Sequence, residues 1–86
     1  MASLHVRIVT PNELIFEGEA ERIITRTVTG DVAILPRHID YLSALGTGET
    51  RITYGGHVRC AQTSGGMLHV SRDHVDLLTT SFEWKD

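Results

Sequence analysis

The stretch TGDVAILPRH, which runs from Thr29 to His38, is the segment around which the rest of the chain is arranged. A turn of small residues carries one acid, Asp31, and the apolar run Val32–Leu35 that follows it predicts a short buried strand. Pro36 ends that strand, because proline has no N–H group to donate to the next bond of a sheet ladder. His38 then lies in a loop. An acid at one loop and an imidazole at another are typical of a docking surface and do not require catalytic chemistry.

Outward from this stretch, apolar and polar residues alternate with a period of two along most of the chain, which predicts β-strands. Gly18 is expected to end the second strand, and Gly55-Gly56 predicts a tight hairpin whose turn needs positive φ. The tail from Ser81 has no readable period. With about eight to ten short strands and a turn signal every 8–12 residues or so, the pattern predicts an all-β fold, an antiparallel β-sandwich or flattened barrel.

The last hairpin has a predictable register if Arg72-Asp73 forms its two-residue turn. One face then pairs Val70 with Val75 and Leu68 with Leu77, as a buried face requires. The opposite face carries four side chains: Met67, His69, Asp76 and Leu78. Because two of these outward residues are apolar, this face is predicted to be a contact patch for another protein.

Composition limits the class of protein. The chain has 86 residues, 41% of them hydrophobic, which predicts a single domain with one thin core. The net charge is −3, and the Lys and Arg residues are scattered, so nucleic acid is not expected as a partner. The longest apolar run is four residues, far short of the roughly 20 that span a bilayer. A targeting segment is not seen either. Cys60 is the single cysteine, so we expect a reducing cytoplasm and no disulfide.

Candidate chemistry is sparse. Five histidines suggest a metal site, but their spacing never places two on one strand face, so no metal is predicted. His69 and Asp76 could be a base and its orienting acid, yet that face offers no nucleophile. Ser64 lacks the surrounding pattern of an esterase elbow, and the glycines open no phosphate-binding helix. Reasoning from residues alone therefore ends at a small cytoplasmic β-sandwich that binds another protein.

Six segments, taken in order, add a resemblance that covers nearly the whole chain. They are LHVRIVTP (4–11), FEGE (16–19), TGD (29–31), ILPRH (34–38), SGGMLHV (64–70) and VDLL (75–78). The ordered set resembles the ε subunit of F-type ATP synthases. This resemblance implies a sandwich of two five-stranded sheets at the foot of the central stalk, between the γ subunit and the membrane ring of c subunits.

The resemblance also implies site residues. Asp31 occupies the position of the acid that points at the polar loops of the c-ring. His38, Ser43 and Ser64 match positions on or near the γ-facing side. Four outward residues of the last hairpin join them on that side: Met67, His69, Asp76 and Leu78.

The function implied is that of a non-catalytic rotor subunit without a cofactor. It clamps γ to the c-ring, so that ion-driven rotation of the ring is coupled to ATP synthesis. Its location would be the cytoplasmic face of the bacterial plasma membrane, reached only through the ATP synthase complex.

The chain departs from the family pattern in a few places. Residues 1–86 are expected to be a single sandwich domain without the family's C-terminal helical hairpin, and hence without ATPase inhibition or ATP binding. Gly46-Thr47-Gly48 stands where a Pro-Gly turn is usual, and Ala33 where Gly is usual. Two alternatives stay open: a free-standing β-sandwich module that binds a protein or ligand, which would need a concave aromatic-lined site, and a small hydrolase, which would need a nucleophile–base pair.

Overall fold

A computed structural model describes residues 3–37 and 40–85 of the chain. His38 therefore lies outside the described residues. Within the described ranges the chain forms eight strands: β1 (Leu4–Val9), β2 (Leu14–Ala20), β3 (Arg22–Thr27), β4 (Gly30–Ile34), β5 (Tyr41–Ala44), β6 (Thr47–Tyr54), β7 (His57–Ser71) and β8 (His74–Trp84). These ranges contain no helix with the length and apolarity to cross a membrane. The predicted all-β fold is confirmed.

The strands form two layers that share β7 and β8. Hydrogen-bonded pairing follows the order β2-β1-β8-β7-β6-β3-β4, and β5 pairs with the other edge of β7. Layer A consists of β2, β1, residues 74–79 of β8, residues 66–71 of β7, and β5. Layer B consists of β4, β3, β6, residues 57–64 of β7 and residues 81–84 of β8. Counted by layer, ten strand segments make up the sandwich, and the pairing is antiparallel except between β1 and β8.

Both shared strands bend at the same level, beside Gly65 and Gly66. These glycines have φ of +71° and +103°, and a Cβ added to Gly66 would overlap the carbonyl of Leu78. The alternation of buried residues shifts by one position across the bend. In β7 the buried side chains change from Ala61 and Thr63 to Leu68 and Val70. Since β8 shifts in step, the register between the two strands is unchanged from one layer to the other.

The core lies between the layers, and the predicted register of the last hairpin is confirmed. Val70 pairs with Val75 and Leu68 with Leu77, and all four are fully buried. A row of threonine hydroxyls crosses the inner face of layer B: Thr50 lies 2.8 Å from both Thr25 and Thr63, oxygen to oxygen. Each of these buried hydroxyls has a partner, so the row adds polar atoms to the core without leaving them unsatisfied.

Two predictions about strands are wrong, and the tail, which showed no readable period, proves to be part of a strand. Val32–Leu35 is not a continuous buried strand: β4 is an edge strand that pairs only with β3, and of these four residues only Ile34 is buried. Gly18 does not end β2, which pairs with β1 as far as Ala20. The tail from Ser81 continues β8, and its Phe82 and Trp84 pack against the core.

Candidate interaction surfaces

The outer face of layer A carries large apolar side chains in a line across five strands. We call this line the apolar row; from β5 to β2 it consists of Ala44, Met67, Leu78, Val9 and Leu14. Met67, Leu78 and Leu14 are 44%, 46% and 50% exposed. Isolated exposed leucines are ordinary, but a contiguous line of apolar side chains is typical of a surface that another protein covers.

A second line, next to the apolar row, is mainly polar. Pairing across the strands places His69 beside Asp76, and Asp76 beside Arg7. At the β5 end Leu42, 63% exposed, lies beside His69 and extends the apolar area. Four residues therefore share one outward face, as predicted: Met67, His69, Asp76 and Leu78. The contributions of β1, β2 and β5 to this face are not predicted, because pairing between distant strands is not visible in a single hairpin.

The other predicted γ-facing residues lie elsewhere. Ser43 is half-buried on the opposite face of β5 from Leu42 and Ala44, opposite the buried Leu68, and its hydroxyl donates to the Ala44 carbonyl at 3.2 Å. Ser64 is half-buried in the layer B part of β7, with its hydroxyl 2.9 Å from that of Thr47. His38 lies outside the described residues, so the structure does not place it.

Asp31 is a strand residue and not a loop-tip acid. It is the second residue of β4 and faces Arg26 of β3, whose Nε donates to Oδ1 at 2.6 Å and whose Nη2 lies 3.5 Å from Oδ2. Both side chains are about half exposed. The hydrogen bond from Arg26 lowers the pKa of Asp31 below its ordinary value, so the carboxylate is ionised at neutral pH.

A further ion-pair group occupies the outer face of layer B. Glu49 accepts hydrogen bonds from Lys85 at 2.7 Å and lies 3.2 Å from the Nε of Arg51. The bond from Lys85 is the main cause of the lowered pKa of Glu49. The outer faces of the two layers therefore differ in chemistry: layer A is apolar at its centre, and layer B carries paired charges.

A cluster around His5 is not predicted by any sequence pattern. Its Nδ1 lies 2.9 Å from Glu19 and its Nε2 lies 3.0 Å from Glu17, both on β2. The hydrogen bonds to Glu19 and then Glu17 raise the pKa of His5. His74 packs edge-on against the same ring, beside a shallow cleft that Asp73 also lines. Within the described residues, no three His, Cys, Asp or Glu side chains are arranged to hold a metal ion.

Residues 3–85 match the family model of the β-sandwich domain of the ATP synthase delta/epsilon chain. The chain belongs to this family. Among curated relatives, the ATP synthase epsilon chain of Ruminococcus albus is 39% identical over 87 residues. The match covers 100% of this chain but only 65% of that relative. The epsilon chain of Micrococcus luteus is 43% identical over 83 residues, covering 94% of this chain and 90% of the relative.

Two solved structures contain a chain with the same fold. A chain in the cryo-EM structure of the Euglena gracilis mitochondrial ATP synthase, comprising OSCP, F1 and the c-ring, matches 98% of this chain and 54% of its own length, with a TM-score of 0.91 and 25% identity. A chain of the Tetrahymena thermophila mitochondrial ATP synthase central stalk and c-ring matches with a TM-score of 0.80 at 17% identity, a likeness in fold alone.

Proposed function

We propose that this chain is the β-sandwich part of an ε-type rotor subunit of an F-type ATP synthase. It holds the γ subunit to the c-ring at the cytoplasmic face of a bacterial plasma membrane, so that ion-driven rotation of the ring is coupled to ATP synthesis. It contributes contact surface and no catalytic group. Family membership supports this proposal, as do the names of the relatives and the F1/c-ring assembly that holds the Euglena neighbour.

The observation that carries the proposal is the apolar row on the outer face of layer A. Met67 and Leu78 are adjacent at its centre and both about half exposed, with His69 and Asp76 beside them. The buried centre of a protein interface is typically apolar, with Met among its enriched residues, and a polar rim surrounds it. We assign this face to the γ subunit. His38, Ser43 and Ser64 stay separate γ-facing candidates that rest on the family resemblance alone.

Asp31 is the candidate contact to the c-ring. It lies at the start of β4 in layer B, whereas the apolar row lies on the outside of layer A. Two contact surfaces on different layers of one small sandwich suit a subunit that joins two partners. Its Oδ1 accepts a hydrogen bond from the Nε of Arg26.

The test is co-purification of the chain with the γ subunit and c-ring of its own organism, followed by affinity measurements on variants. We expect a stoichiometric complex. Leu78→Glu should weaken γ binding at least tenfold, because it would place an unpaired charge in the contact. Val58→Glu is the matched control, since Val58 is 54% exposed but lies on the layer B part of β7.

Two results would contradict the proposal. If the folded chain forms no complex with γ and the c-ring, the rotor role is wrong. The chain would then share only the fold of such subunits, and a free-standing binding module would be the better interpretation. Equal losses in Leu78→Glu and Val58→Glu would show that the apolar row is not the γ-facing surface.

A further inference from the structure

Arg26 lies extended between Asp31 and the backbone of Gly48. A Cβ added to Gly48 would lie 2.8 Å from Cβ of Arg26, 2.9 Å from its Cγ and 3.5 Å from its Cζ. The first two separations are shorter than real Cβ contacts allow. The Arg26 stem can therefore occupy this position only because residue 48 has no side chain.

The backbone on this side of layer B is arranged to accept that side chain. β3 pairs with β6 only between Arg22–Ile24 and Arg51–Thr53. Beyond this ladder, the amide of Gly46 donates to the carbonyl of Arg26 at 3.0 Å. In this segment Gly46 thus binds the backbone of Arg26 through its amide, and Gly48 leaves room for the Arg26 side chain.

We propose that Arg26 is a positioning residue for Asp31, that Gly48 makes this role possible, and that the c-ring meets an ion pair rather than a lone carboxylate. This inference rests on the proposed contact between Asp31 and the c-ring. A guanidinium that donates through both Nε and Nη2 fixes the orientation of the carboxylate plane as well as its position. A lysine ammonium acts as a point charge and does not fix the plane in this way. The orientation of Asp31 is then set before the ring binds, which lowers the entropy lost in the contact.

Other charged groups near Asp31 do not substitute for Arg26. Two charged residues of β6 interact with Asp31 at longer range: Arg51 lowers the pKa of Asp31, and Asp31 raises the pKa of Glu49. The Arg51 Nε lies 3.2 Å from Glu49, so its own partner is a different carboxylate. The pKa of Asp31 is lowered first by the hydrogen bond from Arg26, and its titration therefore reports where that guanidinium lies.

The first experiment is an NMR titration of the Asp31 carboxyl in the 86-residue chain. Arg26→Gln and Gly48→Ala should both raise its pKa towards the ordinary value, although Gly48→Ala changes no charge. Arg26→Lys should restore part of the shift. The controls are Arg51→Gln, which removes a nearby cation and should raise the pKa less than Arg26→Gln does, and Gly18→Ala, whose added Cβ would make only an ordinary 3.7 Å contact with Phe16.

The second experiment measures the affinity of the same variants for the γ–c-ring complex. Arg26→Gln, Gly48→Ala and Asp31→Asn should each weaken binding about threefold to tenfold, and the double variant Arg26→Gln/Asp31→Asn should be no weaker than Asp31→Asn alone. If Gly48→Ala is poorly folded by circular dichroism, Arg26→Gln carries the test, since Arg26 is exposed.

The outcomes separate this inference from the proposed function. An Asp31 pKa that stays at its wild-type value in Arg26→Gln and Gly48→Ala overturns the positioning role. So does a loss of ring affinity in Asp31→Asn without any loss in the two positioning variants. If Asp31→Asn itself binds normally, the proposed ring contact is wrong, and the inference fails with it while the γ-facing surface stands.

Discussion

At the scale of single residues, Gly66 is the position with the least freedom. Its φ is +103°, and a side chain there would overlap the Leu78 carbonyl in the neighbouring strand. Gly66→Ala should therefore lower the free energy of unfolding by about 3 kcal/mol or more. Gly55→Ala is the control, because Gly55 also has positive φ but an added Cβ would make only an ordinary 4.0 Å contact with His57, and it should cost about 1–2 kcal/mol. Urea unfolding measures both, and equal losses would show that the bend tolerates a side chain.

Single residues also show what sequence reasoning can reach. Met67, His69, Asp76 and Leu78 were placed on one outward face from alternation across a two-residue turn, and the pairing confirms it. The partner of Asp31 was missed, because Asp31 was assigned to the turn itself. The two-residue turn is Val28-Thr29, and it pairs Arg26 with Asp31 in the flanking strands. A local rule predicts contacts only where the turn residues are identified correctly.

At the scale of elements, His5 joins β1 to the edge strand β2 through two carboxylates. Only the charged imidazolium can donate from both ring nitrogens, to Glu19 and to Glu17. Because the folded-state pKa of His5 is raised above 6.5, this stabilisation is complete below pH 6.5 and is lost as the pH rises through the raised value. At strongly acidic pH it is lost as well, when Glu19, with its lowered pKa, becomes protonated.

The substitution His5→Gln tests this dependence. The wild-type melting temperature should exceed that of the variant by more at pH 6 than at pH 9. His57→Gln, at the exposed Gly55-Gly56 hairpin, is the control and should show no such dependence. A His5→Gln difference that is the same at both pH values would mean that the two hydrogen bonds do not stabilise the edge strand.

Strand boundaries were predicted less well than strand existence, for two physical reasons. The antiparallel edge strand β4 turns only alternate residues towards the core, whereas a continuous apolar run is typical of a strand that is buried on both faces. Its apolar run therefore suggested more burial than it has. In β8 the buried positions change from odd to even numbers between Thr79 and Phe82, as the strand passes from one layer to the other. A period read from sequence assumes one face throughout, and it therefore fails at the tail from Ser81.

At the scale of the whole molecule, the shared strands should make the two layers unfold together. Ile52 is fully buried in layer B, and Ile52→Val should lower the free energy of unfolding by about 1 kcal/mol. Native-state hydrogen exchange should then speed up about fivefold at the amides of Leu68 and Leu77 in layer A, as much as at Ile23 in layer B. Unchanged exchange in layer A would show that the layers open separately.

The bend that carries β7 and β8 through both layers has a mechanical consequence. In a sandwich built from separate sheets, a twisting load would be resisted only by side-chain packing, and the sheets could slip. Here a torque on the outside of one layer reaches the other along continuous polypeptide, in two hydrogen-bonded strands at once. The two layers should therefore rotate together under load, so that even a small rotation applied to one face is transmitted to the other.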